Sequence, residues 1–583
     1  SSSANGYQNS NYTTFYMGSD MAPPTPSTMT WSSPPAAAGD SSITMSATPA
    51  TAYGFGGVEY YFNCETPGGH DSLWQTSPTY VDVLLSPGTQ YTYKVKARGL
   101  SHLETAYSST ASATTDAPGS GSLPGLSVTN GTLYKEGEPY RAAGVNYCDM
   151  FQAMLNFPEY TGQTEYRTME GLQFLGEQGI PFVRFWACGF WPSNWDLYFS
   201  DKAEWFSRMD LLVATAEAAN VGLIPSLFWR TSTIPELMGE YRDAWGDPSS
   251  LTRQFMTNYV HEVVGRYMDS PAIWGWEFAN EMNLGCDLPN WDDPSFWDVI
   301  PHLGVVGPAT DYTSESNRMT YAIAESAFNA FSAEVRKLDT HRFITTGNSN
   351  PRVRSWNNRM NDSWTIDSYA EAKEAFGWMQ PASMDMASVH IYPNGAELEY
   401  AEASGTANVL LRYREFCDDQ NQALFVGECS SFWGQEGDLD LQRASEDALM
   451  DDLIASGADL IAPWVFDYTY DRTTVGLIRE DNDYTWVLDK VREYDAKMRG
   501  EEPLSLAGVP VDWFDHNGIA PTGSLTLAQV EIQDLNGNGL MAWEDYMAGF
   551  QPLETGAAFA FSEFDLLPDL TPCLTWWGGT NGL

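Results

Sequence analysis

Apolar and polar positions along the chain follow three successive patterns. In residues 1–117 the runs are short and alternate with a period of two, as in 42–47 (SITMSA), 58–64 (VEYYFNC) and 91–97 (YTYKVKA). Successive side chains of a strand face opposite sides, so these runs predict a small β-sandwich with half of each strand in its core. Residues 116–124 (DAPGSGSLP) are rich in Gly, Ser and Pro, and 118–125 reads as a linker.

From 126 to 500 short continuous apolar runs replace the alternation. They centre on 142–147 (AAGVNY), 181–186 (PFVRFW), 222–228 (GLIPSLF), 273–279 (IWGWEFA), 342–346 (RFITT), 387–391 (ASVHI), 423–427 (ALFVG) and 460–466 (LIAPWVF). Between them lie longer stretches with helical spacing, such as 164–178, 202–220, 251–268, 316–338 and 444–454. Strands apolar on both faces suit a parallel sheet covered by helices. Eight of them interleaved with helices predict an α/β fold, a (β/α)8 TIM barrel, whose strand C-termini share one mouth. Beyond about residue 500 the pattern breaks again, leaving 501–583 as a small C-terminal region.

Length and composition agree with this division. A barrel takes up roughly 250 residues or more, and the chain has 583, with 43% apolar and 14% aromatic residues. No apolar run approaches the ~20 residues of a membrane span. The opening SSSANGYQNSNYTTFY lacks a Met and a basic-then-apolar leader, which suggests an exported chain whose targeting segment has been removed. The formal charge of −47, from 77 acidic and 30 basic residues, disfavours nucleic acid, anionic membrane and polyanionic substrates and leaves a neutral polymer as the compatible partner. The acidity reads as solubility or as adaptation to salt. Seven cysteines (64, 148, 188, 286, 417, 429 and 573) show no metal or redox spacing, and their odd number leaves at least one unpaired within a monomer.

Residues 534–545 (DLNGNGLMAWED) fit a calcium-loop pattern, with Asp534, Asn536, Asn538 and Leu540 as candidate ligands, Gly539 at the sharp turn and Asp545 closing the loop. A structural calcium ion is therefore a candidate for this region; a capped helix start is the alternative.

Candidate chemistry concentrates at the predicted strand ends. In WGWEFANEMN, alternation places Glu277 on the face of Ile273 and Gly275, and the strand ends at Asn280 and Glu281, two polar side chains after a buried run. In ALFVGECSSFWG, Glu428 follows an apolar strand directly. Two carboxyls 147 positions apart can share one site if a closed barrel brings the fourth and seventh strands across a common mouth.

The first of these segments resembles the acid/base motif of glycoside hydrolase family 5, in the retaining clan A, and the second resembles that family's nucleophile strand. The resemblance covers roughly 126–500. It implies Glu281 as acid/base and Glu428 as nucleophile, with no cofactor for catalysis. It further implies that Arg184 in PFVRFW hydrogen-bonds the nucleophile, that Asn280 contacts the sugar 2-hydroxyl, and that His390 lies near the acid/base. By the same resemblance Tyr392 in ASVHIYP bonds the nucleophile, and Trp464 in IAPWVFDY stacks under the sugar. The third strand ends SLFWRTST where many family members carry a His; this and VRFWACGFWP are closer to the mannanase-like branch. Among the 22 tryptophans, Trp191, Trp229 and Trp433 are candidate subsite platforms, because sugar C–H faces pack on aromatic rings.

Outside the barrel, LSPGTQYTYKVKAR followed by AYSSTASATT resembles the last strands of a fibronectin type III module. The stretch from VPVDWFDHNGI to NGNGLMAWEDYMAGFQP resembles dockerin-like, EF-hand-like C-terminal repeats of secreted bacterial enzymes. CLTWWGGTNGL reads as the start of a further β-module. Together these imply a bacterial extracellular or cell-surface protein, with the terminal modules as contacts to a surface or protein partner. The function expected is a retaining endo-β-1,4-glycanase on a neutral polysaccharide, β-mannan or β-glucan. Two alternatives stand beside it: an exo-acting β-glycosidase, with insertions at 286–313 and 347–385 closing one end of the cleft, and a non-catalytic carbohydrate-binding surface protein.

Overall fold

The computed structural model describes residues 23–577 apart from 38–41, 53–57, 73, 83–84, 100–101, 116–123, 156–164, 293–313, 394–398, 432–437, 468–485, 523–524, 537–539, 549–552, 554–559 and 567–571. It divides into two compact units, Ser1–Ser122 and Leu123–Leu583.

Among the described residues of the first unit, six strands form two antiparallel three-stranded sheets. These are β1 (Trp31–Ala37), β2 (Ile43–Ala47) and β4 (Thr79–Asp82) in one, and β3 (Glu59–Cys64), β5 (Gln90–Arg98) and β6 (Ala111–Thr114) in the other. Alternation decides what each strand buries. Along β5, Tyr91, Tyr93, Val95 and Ala97 pack inward with Ile43, Met45 and Phe62, while Lys94, Lys96 and Arg98 face outward.

The second unit opens with an antiparallel ribbon, β7 (Leu126–Thr129), β8 (Thr132–Lys135) and β9 (Glu138–Pro139). Leu126 and Leu133 join Phe182, Ile224, Trp274, Phe343 and Phe425 in an apolar plug. These belong to the early parts of the barrel strands, so the ribbon seals the end of the barrel opposite the strand C-termini.

The first barrel strand is split at Gly144 into β10 (Ala142–Ala143) and β11 (Val145–Asn146). The next members are β12 (Phe182–Trp186), β13 (Gly222–Ser226), β14 (Gly275–Glu277), β15 (Phe343–Thr345) and β16 (Met386–Ile391). A hairpin of β17 (Glu399–Tyr400) and β18 (Ala403–Ser404) precedes the last two barrel strands, β19 (Ala423–Cys429) and β20 (Leu460–Pro463). The sheet runs in the order β10-β20-β19-β16-β15-β14-β13-β12-β11. Since β10 pairs with β20 and β11 with β12, the split strand closes the ring. All eight runs expected from the sequence are present as parallel strands, although the backbone ladders end earlier than the apolar runs at 273–279 and 460–466.

The helices follow the expected spacing, with two revisions. One begins earlier than its periodicity: Leu439–Ala455 starts at Asp438, whose carboxylate accepts from the Leu441 amide, because a capping side chain outweighs the polar first turn. Another begins later: Tyr321–Arg336 starts after Thr320, which caps the Ile323 amide, and is preceded by a short 3-10 turn at Glu315–Asn317. The segment 347–385, expected as an insertion, carries helices Ser355–Asn361 and Tyr369–Met379, and the second of these is the covering helix between β15 and β16. Much of 286–313 lies outside the described residues. Among the described residues no helix is long and apolar enough to cross a membrane.

At the C-terminal end, short helices Val511–His516, Leu527–Glu531 and Ala542–Ala548 enclose a small core of Val509, Phe514, Leu527, Val530 and Ala542. The Leu527 amide donates to Asp489 on the last barrel helix (2.7 Å). Six cysteines have described side chains, and all six are free thiols.

Candidate active site

The end of β14 carries Glu281 into the barrel mouth by a chain of backbone bonds. The amides of Phe278 and Ala279 donate to the carbonyls of Thr345 and Thr346 (3.0 and 3.2 Å), that of Asn280 to Trp229 (3.1 Å), and that of Glu281 to Gly347 (2.9 Å). The chain then turns sharply, with Glu281 in the left-handed region at φ +51°. That conformation costs a non-glycine residue about 1 kcal/mol or more, so it persists only because its neighbours hold it. Gly347, at φ +72°, is what allows the approach: a Cβ there would lie 1.8 Å from the Ala279 carbonyl oxygen and 2.7 Å from Glu277 Cδ.

Across the mouth, β16 and β19 place His390 beside Glu428 in register. One ligand atom each from Glu281, His390 and Glu428 fall within 4.8 Å of one another, so the two carboxylates approach to within that distance. His390 Nδ1 lies 2.8 Å from Glu281 Oε1 and 3.6 Å from Glu428 Oε2. The Tyr392 hydroxyl donates to Glu428 Oε2 at 2.7 Å. Arg184, fully buried on β12, spends all three nitrogens inside the site. Its Nε faces both oxygens of Glu277 (3.0 and 2.8 Å), Nη1 donates to Glu428 (3.0 Å) and to Asn146 Oδ1 (3.3 Å), and Nη2 donates to Asn280 Oδ1 (2.8 Å). The structure thus brings together Arg184, Asn280, Glu281, His390, Tyr392 and Glu428 from the ends of β12, β14, β16 and β19.

Burial sets the protonation states. It pushes the Glu281 carboxyl above the ordinary range, with the Arg184 charge and Ser349 opposing. It pushes Glu428 upward too, and there His390, Arg184 and the Tyr392 hydroxyl oppose it while Glu281 adds to it. Glu428 accepts directly from the Arg184 cation and the Tyr392 hydroxyl, whereas Glu281 Oε1 meets the His390 ring. Of two carboxyls this close, the one with cationic and hydroxyl donors ionises first and the other keeps the proton. Burial brings the His390 imidazole down to about 3, which makes it neutral at ordinary pH, with its Nδ1 in hydrogen-bond contact with Glu281 Oε1.

Aromatic rings line one side. Trp229 and Trp464 lie nearly parallel, at 22° with centroids 6.3 Å apart, and the Arg184 guanidinium sits 4.4 Å from the Trp229 ring centre. Trp464 is half-buried, but Trp229 is only 5% exposed, so it supports Arg184 and Trp464 more than it displays a free face. Trp191 is half-buried beneath the Arg230 guanidinium, 4.5 Å from its ring centre. Trp433 lies outside the described residues.

The calcium-loop candidates stand apart, at the C-terminal end. Asn536 and Asp545 are buried there, and the Asn536 amide donates to Asp545 at 3.1 Å. In the chain Asp534 precedes Asn536 and Leu540 lies between Asn536 and Asp545; Asn538 and Gly539 lie outside the described residues.

Two members of the site escape the sequence pattern. Alternation gives Glu277 a strand face and no chemistry, yet a carboxylate inside an apolar strand has to find a cation; an Arg in the equally apolar run PFVRFW is the available signal. Asn146, which donates to the Gly427 and Ala462 carbonyls at 2.8 Å each, carries no comparable mark.

No family model matches the chain. Over 94 residues it is 33% identical to mannan endo-1,4-beta-mannosidase A of Podospora anserina, a match taking in 14% of this chain and 25% of that protein. Mannan endo-1,4-beta-mannosidase F of Aspergillus fumigatus is 28% identical over 110 residues, 17% of this chain and 25% of its own length. The chain therefore spans about a quarter of the length of these curated relatives. Among solved structures, the endo-1,4-beta-mannanase from Rhizomucor miehei superposes with a TM-score of 0.45 at 15% identity, over 65% of this chain and 100% of that one.

Proposed function

We propose that the chain is a retaining endo-β-1,4-mannanase of the glycoside hydrolase family 5 type. The observation that carries this reading is the approach of Glu281 and Glu428 to within 4.8 Å. Retaining glycosidases hold their carboxyls about 5 Å apart, and inverting enzymes need roughly 6.5 Å or more to admit a water between them.

Glu428, ionised, attacks the anomeric carbon as the bond to the leaving oxygen breaks. Glu281 donates its proton to that oxygen, and a glycosyl ester forms on Glu428. Water then enters on the vacated side and gives a proton to Glu281 while its oxygen bonds the anomeric carbon, which frees Glu428 as carboxylate. Arg184 and Tyr392 hold Glu428 ionised and aimed, and the neutral His390 orients Glu281. Asn280 would meet the sugar 2-hydroxyl, and Trp464 would stack on its face. No step calls for a metal or organic cofactor.

β-Mannan is preferred over β-glucan, and endo over exo action, because both relatives are mannan endo-1,4-beta-mannosidases. The test is incubation with β-mannan, cellulose derivatives and mixed-linkage glucan. An early viscosity drop on mannan with β-configured new ends supports the reading. Release of mannose or mannobiose alone from the start would favour an exo-acting enzyme, and no hydrolysis of any polymer would favour a binding protein.

For the flanking regions we infer a fibronectin type III-like module over 1–117, a linker over 118–125, the catalytic region over 126–500 and a dockerin-like segment over 501–583. The setting inferred is a bacterial extracellular or cell-surface protein whose terminal modules contact a surface or protein partner. The all-oxygen set of Asp534, Asn536, Asn538, the Leu540 carbonyl and Asp545 suits a structural calcium ion.

A further inference from the structure

Glu277 is the one buried carboxylate of the site that neither attacks nor protonates anything in the mechanism above. Its side chain has no exposure, and neither has that of Arg184. Both Glu277 oxygens face Arg184 Nε, leaving one Nη hydrogen bond for Glu428 and one for Asn280. The guanidinium plane is thereby fixed by strands on three sides, with Asn146 completing Nη1.

Charge arithmetic makes the arrangement informative. A single buried arginine faces two buried glutamates, so Arg184, Glu277 and Glu428 together carry one net negative charge when both glutamates are ionised. Remove Glu277, and Arg184 and Glu428 neutralise each other as an isolated buried pair. A carboxylate so paired is a weaker nucleophile, and a neutral site does less for a sugar ring that becomes positive as its bond breaks.

We propose that Glu277 is a positioning residue of the reaction: it clamps Arg184 through both carboxylate oxygens and takes up part of the guanidinium charge, so that Glu428 is aimed by one hydrogen bond without being neutralised. The proposal rests on the retaining mechanism above. The groups facing Glu428 are Arg184, Glu281, His390 and Tyr392, together with the thiols of Cys148 and Cys429. None of these groups is itself altered when Glu277 alone is substituted.

Glu277→Gln keeps an acceptor for Arg184 Nε and removes the charge. The pH profile of kcat/KM on β-mannan then shifts its acidic limb down by about one unit, because Glu428 loses a like-charged neighbour. kcat falls about tenfold with KM changed less than about threefold, since Glu277 does not touch substrate. Glu277→Asp retains the charge and keeps the limb at its wild-type pH. An unshifted limb in a folded Glu277→Gln enzyme overturns the proposal, as does an equal shift in both variants. If neither variant folds, a neutron structure of the wild-type protein at neutral pH decides: a bare Glu277 carboxylate supports the proposal, and a deuteron on it overturns it. That measurement needs no substrate, so it also stands if the wild-type protein proves inactive on mannan, the outcome that would sink the functional reading instead.

Discussion

Arg184 and Glu428, 244 positions apart in the chain, meet at 3.0 Å between Nη1 and Oε1. A fully buried guanidinium is tolerated only when its charge is met and its donors are used. Both conditions are met at the barrel mouth, where Glu277 accepts from Nε, Asn280 from Nη2, and Asn146 shares Nη1 with Glu428.

Tyr392→Phe removes one hydrogen bond to the Glu428 carboxylate. A bond to a charged group contributes about 1.5–3 kcal/mol, so kcat/KM on mannan falls roughly ten- to hundred-fold. A donor to the ionised form is lost, so the Glu428 pKa rises and the acidic limb of the rate profile moves to higher pH. Steady-state kinetics from pH 4 to 8 check both effects; an unchanged limb would mean that Tyr392 does not act on Glu428.

Glu281→Ala lowers the rate on mannan by roughly 10²–10⁴, the range of a lost general acid. An aryl mannoside whose phenol leaves without protonation loses much less in its first step, and added azide restores turnover by replacing the activated water. Comparing the two substrates reads this directly. Equal losses on both would count against Glu281 as the proton donor.

Gly347→Ala forces a Cβ into the Ala279 carbonyl and the Glu277 side chain in a left-handed backbone. Overpacking of this kind costs about 1–3 kcal/mol. The expected result is a lower melting temperature and a fall in kcat larger than stability alone explains, because Glu281 hangs from the Gly347 carbonyl. Calorimetry and kinetics on the same sample check it.

His390 is held neutral, with its pKa brought down by burial to about 3 in the folded protein. Unfolded, it titrates near 6.5. Between those values the unfolded state binds more protons, so this group's contribution to stability is intact above about pH 6.5 and declines as pH falls toward 3. Denaturant unfolding of wild type and His390→Gln across pH 4–7 should show a shallower acid slope in the variant. Parallel slopes would contradict a neutral buried imidazole.

A calcium ion at the site proposed for 534–545 would stabilise the folded protein by mass action. Adding calcium after chelation should raise the melting temperature of the wild-type protein and leave that of Asp545→Ala unchanged, with hydrolysis of mannan the same in both.

The barrel was legible because its strands are apolar on both faces and its helices are not, a contrast that survives without any knowledge of contacts. Glu281 and Glu428 were legible because polar side chains stood at the ends of apolar runs. What the sequence did not disclose was pairing. Alternation put Glu277 on the face of Ile273 and Gly275, yet only closure of the ring reveals that Arg184 waits there. The cap at Asp438 was hidden by a polar first turn, and the opening of 355–379 into two helices was hidden by a segment with little apolar periodicity. Trp229 illustrates the remaining gap: an aromatic after a strand reads as a platform, and its 5% exposure makes it a support.

The most direct test of the central claim is to trap the intermediate. A 2-deoxy-2-fluoro-β-mannosyl fluoride slows both steps and lets the glycosyl ester accumulate. Digestion and mass spectrometry should find one fluoromannosyl group on the peptide carrying Glu428, with time-dependent inactivation and slow recovery in water. A label on Glu281, or complete turnover to the inverted sugar with no labelled peptide, would contradict it.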